Sequence, residues 1–417
     1  MAENKSVLVV GGGISGMTVA VEAAEVGYKV HLVERNPFLG GRVAQLNKYF
    51  PKMCPPYCGL EINFRRIRPN TDINWMTTSE VVKVEGGPGN FTVTVKTNPR
   101  YVNENCTGCN KCAEACPNER VNSFNYGMDK SKAAYLPHPM SFPMRYVIDK
   151  SACGGDCGQA CKAACKYDAV VLDQQATTTE LKVGSIVYAT GWKPYDMAKL
   201  EILGKGEMKN VISNVMMERL ASASGPTAGK ILRPSDGKEV KSVAFVQCAG
   251  SRDENHLSHC SSICCMASLK QAFYVREQYE DAKAEVFYID LRTPGRYEKF
   301  LNRAQADENI TLTKGKVAAV SENAETGDVT VTIEDVFAGV KRQATFDMVV
   351  LATGMEPELA SVGGTAATLA EGGFAVGDLQ KPGIFSAGVA KAPVDVMTSI
   401  QDSTGTALKA IQSIVRS

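Results

Sequence analysis

"SVLVVGGGISGMTVAVEAAEVGYKVHLVERN", residues 6–36, decides the fold. A β-branched apolar run breaks at Gly11–Gly13, a small-residue amphipathic stretch follows, and a second apolar run ends at Glu34. The pattern predicts strand, turn, helix, strand. Gly11, Gly13 and Gly16 carry the spacing G-x-G-x-x-G. The first allows a tight turn, the second lets the backbone approach a pyrophosphate, and the third lets helix pack on strand. Ile14 and Ser15 open the helix, whose free N–H groups and positive dipole end suit phosphate. Glu34 stands where an acid binds a ribose hydroxyl, with Arg35 beside it.

The next residues choose between dinucleotides. "NPFLGGRV" places Gly40, Gly41 and Arg42 just past the acid, and resembles the second pyrophosphate motif of FAD enzymes of the glutathione-reductase type. "IVYATG" (186–191, with Ala189, Thr190 and Gly191) and "VVLATG" (349–354) are similar to the strand-end motifs of that superfamily. "GIFSAGVAKAPVDVMTSIQ" resembles its closing motif, with Gly388, Val389 and Pro393 near the flavin. That motif usually carries Asp after the glycine for the ribityl chain; Val389 stands there instead. The resemblance implies FAD, with Val82 completing the expected contacts.

Bulk properties exclude several classes. With 417 residues there is room for two or three cores, and a net charge of +1 gives no nucleic-acid surface. No apolar run is long enough to span a bilayer, and the N-terminus lacks the pattern of a secretory signal, so a cytoplasmic protein is expected, with membrane attachment only through a partner. The 14 cysteines cluster rather than scatter, which in a reducing compartment points to metal or redox chemistry.

"CTGCNKCAEACP" sets Cys106, Cys109, Cys112 and Cys116 in the bacterial ferredoxin pattern C-x2-C-x2-C-x3-C-P. Such a run gives three thiolates to one [4Fe–4S] cube and its fourth to a neighbour; zinc prefers two separated pairs. "CGGDCGQACKAAC" holds Cys153, Cys157, Cys161 and Cys165 at wider spacing. In a two-cluster arrangement Cys106, Cys109, Cys112 and Cys165 share one cube, and Cys116, Cys153, Cys157 and Cys161 the other. The widened loop fits either a second cube or an altered or missing one. Strand-like "GNFTVTVKT" and "TTTELKVGSIVYATG" flank this module, so it is threaded into a loop of the FAD domain.

A second strand–turn–helix, "VAFVQCAGSRDENHLSHCSSICCMASLKQAFYVREQ", begins at Val243 where a nicotinamide domain would start. Its glycine fingerprint is absent; Cys248, Cys260, Cys264 and Cys265 surround the turn. Three readings compete: a non-standard [4Fe–4S] site, a redox dithiol at Cys264 and Cys265, or buried structural cysteines. A helix start is expected to stabilise thiolates there. Cys54 and Cys58, in "FPKMCPPYCGLEI", stay open among structure, thiol chemistry and ligation.

"CTGCNKCAEACPNERVNSFNYG", "KAAYLPHPMSFPMRYVIDK", "SASGPTAGKILRPSDGKEVKSVAFVQCAGSRD" and "CSSICCMASLKQA" resemble the flavin-bearing A subunit of heterodisulfide reductases along nearly the whole chain. The resemblance implies a [4Fe–4S] cube on Cys248, Cys260, Cys264 and Cys265. The short form is most similar to the A subunits of the quinone-interacting membrane-bound oxidoreductases of sulfate reducers. That implies three kinds of partner: a larger flavin and Fe–S subunit of the same type, a membrane subunit with haems and a quinone site, and a cytoplasmic acceptor such as an adenylylsulfate reductase.

The expected fold is α/β: a disulfide-reductase-like FAD domain (1–96, 174–225 and 375–417), a ferredoxin-like insert (97–173) and a vestigial nucleotide-domain-like lobe (226–374). The expected role is flavin and iron–sulfur electron transfer, as in dissimilatory sulfate reduction, with electron splitting at the flavin as an option and no acid–base catalytic set. An NAD(P)H-dependent FAD/Fe–S reductase and a non-catalytic scaffold are the alternatives.

Overall fold

Ser6–Val10 is buried along its length, with Val7, Leu8 and Val9 fully shielded, so it belongs in the middle of a sheet. The computed structural model describes residues 4–154, 158–204, 206–362, 366–376 and 380–417. The chain divides into two compact units, 1–192 with 357–417, and 193–356.

In chain order the first unit opens with β1 (Ser6–Val10), α1 (Ile14–Glu25), β2 (Lys29–Val33), α2 (Pro56–Ile67), β3 (Ile73–Met76), β4 (Ser79–Gly87) and β5 (Asn90–Thr97). The cysteine-rich segment follows, with α3 (Lys111–Glu114), β6 (Glu119–Val121), β7 (Lys130–Lys132), β8 (Ala134–Tyr135), β9 (Val147–Ile148) and α4 (Gly158–Ala163). β10 (Thr177–Val183) and β11 (Ser185–Tyr188) come next, then β12 (Trp192–Pro194). The second unit holds β13 (Val211–Ser213), α5 (Asn214–Ala221), β14 (Ser242–Ala249), α6 (Cys264–Gln278), β15 (Lys283–Tyr288) and α7 (Glu298–Gln305). It continues with β16 (Ile310–Glu322), β17 (Val329–Asp335), β18 (Val340–Phe346) and β19 (Met348–Thr353). After β20 (Met355–Pro357), β21 (Ile384–Ser386) and α8 (Val396–Arg416) close the chain.

The first unit's main sheet has the order β21-β11-β1-β2-β3, with every pair parallel. α1 and α8 pack together on it through small residues; α8 buries Ser399, Ser403, Ala407 and Ala410. A smaller antiparallel sheet, β10-β5-β4, carries Val93 and Val95 into a core shared with Leu8 and Ile186. β5 and β10 pair from Phe91↔Val183 to Thr97↔Thr177, so residues 98–176 leave and return at one end of a continuous ladder.

The second unit has a seven-stranded sheet, β13-β19-β14-β15-β16-β17-β18, parallel up to β16 and antiparallel beyond. Two expected boundaries shift. Residues 193–225 were expected in the FAD domain, but β13 pairs with β19 in this second sheet. Residues 357–374 were expected in the lobe, yet Leu359 is buried in the first unit's core with Val10 and Tyr188. A short apolar strand and a capped helix read alike in either domain; pairing alone assigns them.

Candidate cofactor sites

Gly13 caps α1 with extended backbone (φ −73) and no side-chain cap, which leaves the first-turn N–H groups to a ligand. A Cβ built on Gly13 would meet only Gly41 Cα, at 3.8 Å, so the protein leaves space there. Gly16 differs: its Cβ would lie 1.8 Å from the Gly11 carbonyl oxygen, so it is glycine for helix–strand packing. Gly41 approaches Gly13, and the Gly40 N–H donates to Gly12 O at 2.8 Å, which brings the two glycine motifs together. Gly11 N–H donates to Val33 O (2.7 Å) and Ala189 N–H to Val10 O (2.8 Å), locking the strand ends around the turn.

Glu34 is buried, and burial raises its carboxyl above the usual range. Its Oε2 accepts from Gly12 N–H at 2.6 Å and its Oε1 from Asn36 N–H at 2.7 Å. Arg35 points outward and pairs with Glu358. Arg42 Nε donates to Trp192 O at 3.0 Å. Thr190 Oγ1 is buried with no partner, Gly191 has open space around it, and Ile14 lies half-buried beside buried Ser15. Val82 is largely exposed at a bulge of β4. Val389 is buried and Pro393 half-buried in the closing turn. An open cradle, uncapped N–H groups and an orphaned hydroxyl fit a dinucleotide pyrophosphate.

The insert gathers its cysteines. Cys106, Cys109, Cys112 and Cys165 line one cavity with Tyr146, Asn110 and Tyr167, joining three thiols of the first run to the last of the second. Burial first, then Cys106 and Cys161 nearby, push the Cys112 thiol up to about 12. Cys116 and Cys161 are buried and Cys153 is half-buried in the same apolar cluster. Cys157 lies outside the described residues. None of the described cysteines forms a disulfide.

The second unit gathers four more. Cys248 sits at a break in β14 register with φ 56, Cys260 lies in the following loop, and Cys264 and Cys265 begin α6. Cys265 Sγ lies 3.4 Å from Asp290 O, and Ser262 N–H donates to Cys260 Sγ at 3.4 Å. Burial and mutual proximity raise the thiols of Cys248 and Cys264, and burial raises that of Cys265. Desolvation is the largest cause in all three. A protonated thiol is a poor nucleophile, and metal ligation removes its proton. Among the described residues no three His, Cys, Asp or Glu close around a single ion. A cube puts each thiolate on its own iron, so it asks for a wider set.

The turn after β14 is also filled. A Cβ on Gly250 would lie 2.7 Å from the Tyr195 ring, as one on Gly11, the first residue after β1, would lie 2.3 Å from Ala189 O. Residues 250–263 then intervene before α6, so strand does not pass directly into helix.

Known proteins match this arrangement. Residues 6–55 match the FAD dependent oxidoreductase family. An iron-sulfur A subunit of CoB--CoM heterodisulfide reductase in Methanopyrus kandleri is 38% identical over 98% of this chain and 64% of its own length. The A subunit of H(2):CoB-CoM heterodisulfide,ferredoxin reductase in Methanothermobacter marburgensis is 36% identical over 98% of this chain and 64% of its own. The chain is similar to heterodisulfide reductase A subunits over nearly its whole length. It spans just under two thirds of the curated relatives' length. Thioredoxin reductases of Lactococcus lactis (TM-score 0.55, 15% identity, 99% of this chain and 100% of that one) and T. acidophilum (TM-score 0.54, 14%, 99% and 97%) share the fold.

Sequence reasoning missed several residues of these sites. Asp402, on α8, accepts from Gly388 N–H at 2.9 Å and pairs with Lys391 at 2.8 Å, bringing a carboxylate to the turn where Val389 has none. Its position inside the closing helix, well past Asp395, gave no signal. Gln247 Nε2 donates to Cys264 O at 3.3 Å, and Arg252 lies by Cys248, pairing with Asp290 at 2.9 Å. Cys54 is half-buried just before α2 and Cys58 exposed in its first turn, both near the Tyr49 phenol. Among the described residues no helix is long and apolar enough to cross a membrane.

Proposed function

We propose that the chain is an FAD- and [4Fe–4S]-carrying electron-transfer component of a multisubunit oxidoreductase, with three cubes on the twelve cysteines of the insert and the β14–α6 region. The observation that carries this reading is the gathering of Cys248, Cys260, Cys264 and Cys265, each within electrostatic reach of the other three, at the β14–α6 turn where a nicotinamide domain would carry its glycine fingerprint. FAD, when bound, supplies two-electron chemistry, and the cubes supply one-electron steps. The chain's own residues do the rest. Gly13 admits the pyrophosphate, with Gly11, Gly40 and Gly41 shaping the backbone around it; Glu34 holds a ribose; Asp402 and Lys391 shape the closing turn. Buried thiols and apolar walls keep water from the iron.

The finer reading is that of a quinone-linked complex. Its other members are a larger flavin and Fe–S subunit of the same type and a membrane subunit with quinone and haem sites. A cytoplasmic acceptor such as an adenylylsulfate reductase exchanges its electrons. The chain itself sits in the cytoplasm, held at the membrane by those partners, as in sulfate reduction, with the flavin able to split electron pairs. The test is anaerobic purification from the native host, with iron, sulfide and flavin counted and co-purifying proteins identified. About twelve irons and one flavin per chain are expected; about four irons would remove two of the three cubes. Rapid flavin bleaching by NAD(P)H would instead restore the nicotinamide reading, and a colourless protein the scaffold.

A further inference from the structure

Arg100 stands just past β5, where the insert begins, and is 4% exposed. Its guanidinium donates to Tyr146 O (2.9 Å), Pro37 O (2.7 Å), Thr77 Oγ1 (3.3 Å) and Arg145 O (2.6 Å). Every acceptor is neutral. Among the described residues no carboxylate pairs with it. The charged groups that reach it are a second cation, Arg145, and two that can turn anionic, Tyr135 and Cys106. Tyr135 is itself buried, which holds its phenol neutral. A buried cation ringed by dipoles and lacking an anion is an unfavourable arrangement, and proteins normally pair such a charge. Burial accordingly draws Arg100 down to about 10.

The missing anion has a place. Tyr146 accepts from Arg100 through its carbonyl, and its side chain lines the cavity of Cys106, Cys109, Cys112 and Cys165. The Tyr146 hydroxyl donates to Asn110 Oδ1 at 2.5 Å, and Asn110 lines the same cavity. We propose that Arg100 is the counterion of the cube held by Cys106, Cys109, Cys112 and Cys165, and that its buried charge raises that cube's reduction potential. The proposal rests on the cluster reading above. A cube on four thiolates is anionic, and one added electron makes it more so. A cation held nearby in low dielectric stabilises the reduced form more than the oxidised one, with little screening by salt. The same guanidinium fastens the insert to Pro37, in the loop that leads into Gly40–Gly41–Arg42, so charge and docking sit in one side chain.

The test is an anaerobic redox titration of the cluster-loaded full-length chain, followed by electron paramagnetic resonance. The signal lost in Cys109→Ser marks the cube in question. Arg100→Gln removes the charge; Arg100→Lys keeps it but loses the forked hydrogen bonds. The expected result is a midpoint lowered in Arg100→Gln by at least a tenfold change in the reduced-to-oxidised ratio, about 59 mV for one electron, with Arg100→Lys close to wild type. A cube that assembles in Arg100→Lys but not in Arg100→Gln also supports the charge. Unchanged potentials in Arg100→Gln overturn the proposal. So do equal shifts, or equal failure to assemble, in both variants, since these mark a mere staple. Wild-type protein with no cube signal fails differently: it takes down the cluster reading first.

Discussion

Replacing Gly13 by Ala separates a cradle for a ligand from a turn that is glycine for its own sake. The backbone at Gly13 is extended, which any residue adopts, and the new Cβ would sit 3.8 Å from Gly41 Cα, an ordinary contact. Apo-protein stability is therefore expected to change by no more than about 0.5 kcal/mol. The ligand meets the methyl instead. Displacing the pyrophosphate from the α1 N–H groups weakens one or two charge-assisted hydrogen bonds, roughly 3 kcal/mol in all. FAD should then bind about 100-fold more weakly. Gly16→Ala is the control: its Cβ would lie 1.8 Å from a backbone oxygen, so the fold itself should suffer. The assay pairs thermal unfolding of apo-protein with FAD titration by flavin fluorescence. Wild-type FAD affinity in Gly13→Ala would refute the cradle. So would an unfolded apo-variant, by showing that the glycine serves packing.

Other outcomes follow from the same geometry. Cys264→Ser should lower iron by about four atoms per chain while leaving flavin content intact; unchanged iron would return Cys264 to a structural role. Lys270 and Glu218 form a buried pair at 3.0 Å, so Lys270→Met should cost about 3–5 kcal/mol in urea unfolding, with much of it recovered in the Lys270→Met, Glu218→Gln double variant. In cluster-free protein, exposed Cys58 and Cys109 should be alkylated first near neutral pH. Cys112, pushed up to about 12, should lag and speed up as pH rises, because only the thiolate reacts. Equal rates for Cys109 and Cys112, read by mass spectrometry, would count against its burial.

The βαβ opening was legible because periodicity, glycine spacing and a terminal acid all agree over one short stretch. The ferredoxin spacing paired Cys165 with Cys106, Cys109 and Cys112 on one cube, and these four line one cavity. Residues 193–225 were misplaced because a strand shows its neighbours only once paired, and β13 pairs with β19, far along the chain. The surroundings of the α6 thiols were hidden for another reason: the helix start is visible in sequence, but the burial of Cys264 is not. Arg100 was invisible on the same ground. A lone arginine after a strand reads as solvated, and its acceptors at Pro37, Thr77 and Tyr146 come from three distant segments.

Residues 98–176 separate β5 from β10 along the chain, and the ladder between the two strands closes over them. Tying off so long a stretch of slack chain is harder than tying off a tight hairpin by roughly 2–3 kcal/mol. Once the insert is ordered its ends are already gathered: Gln174 Oε1 accepts from the N–H groups of Arg100 and Tyr101, at 3.0 and 2.6 Å. With cubes in the insert, as proposed, metallation and completion of the flavin fold would be linked equilibria. A cell short of iron should accumulate chains that also retain flavin poorly, so that one quality-control step answers for both cofactors.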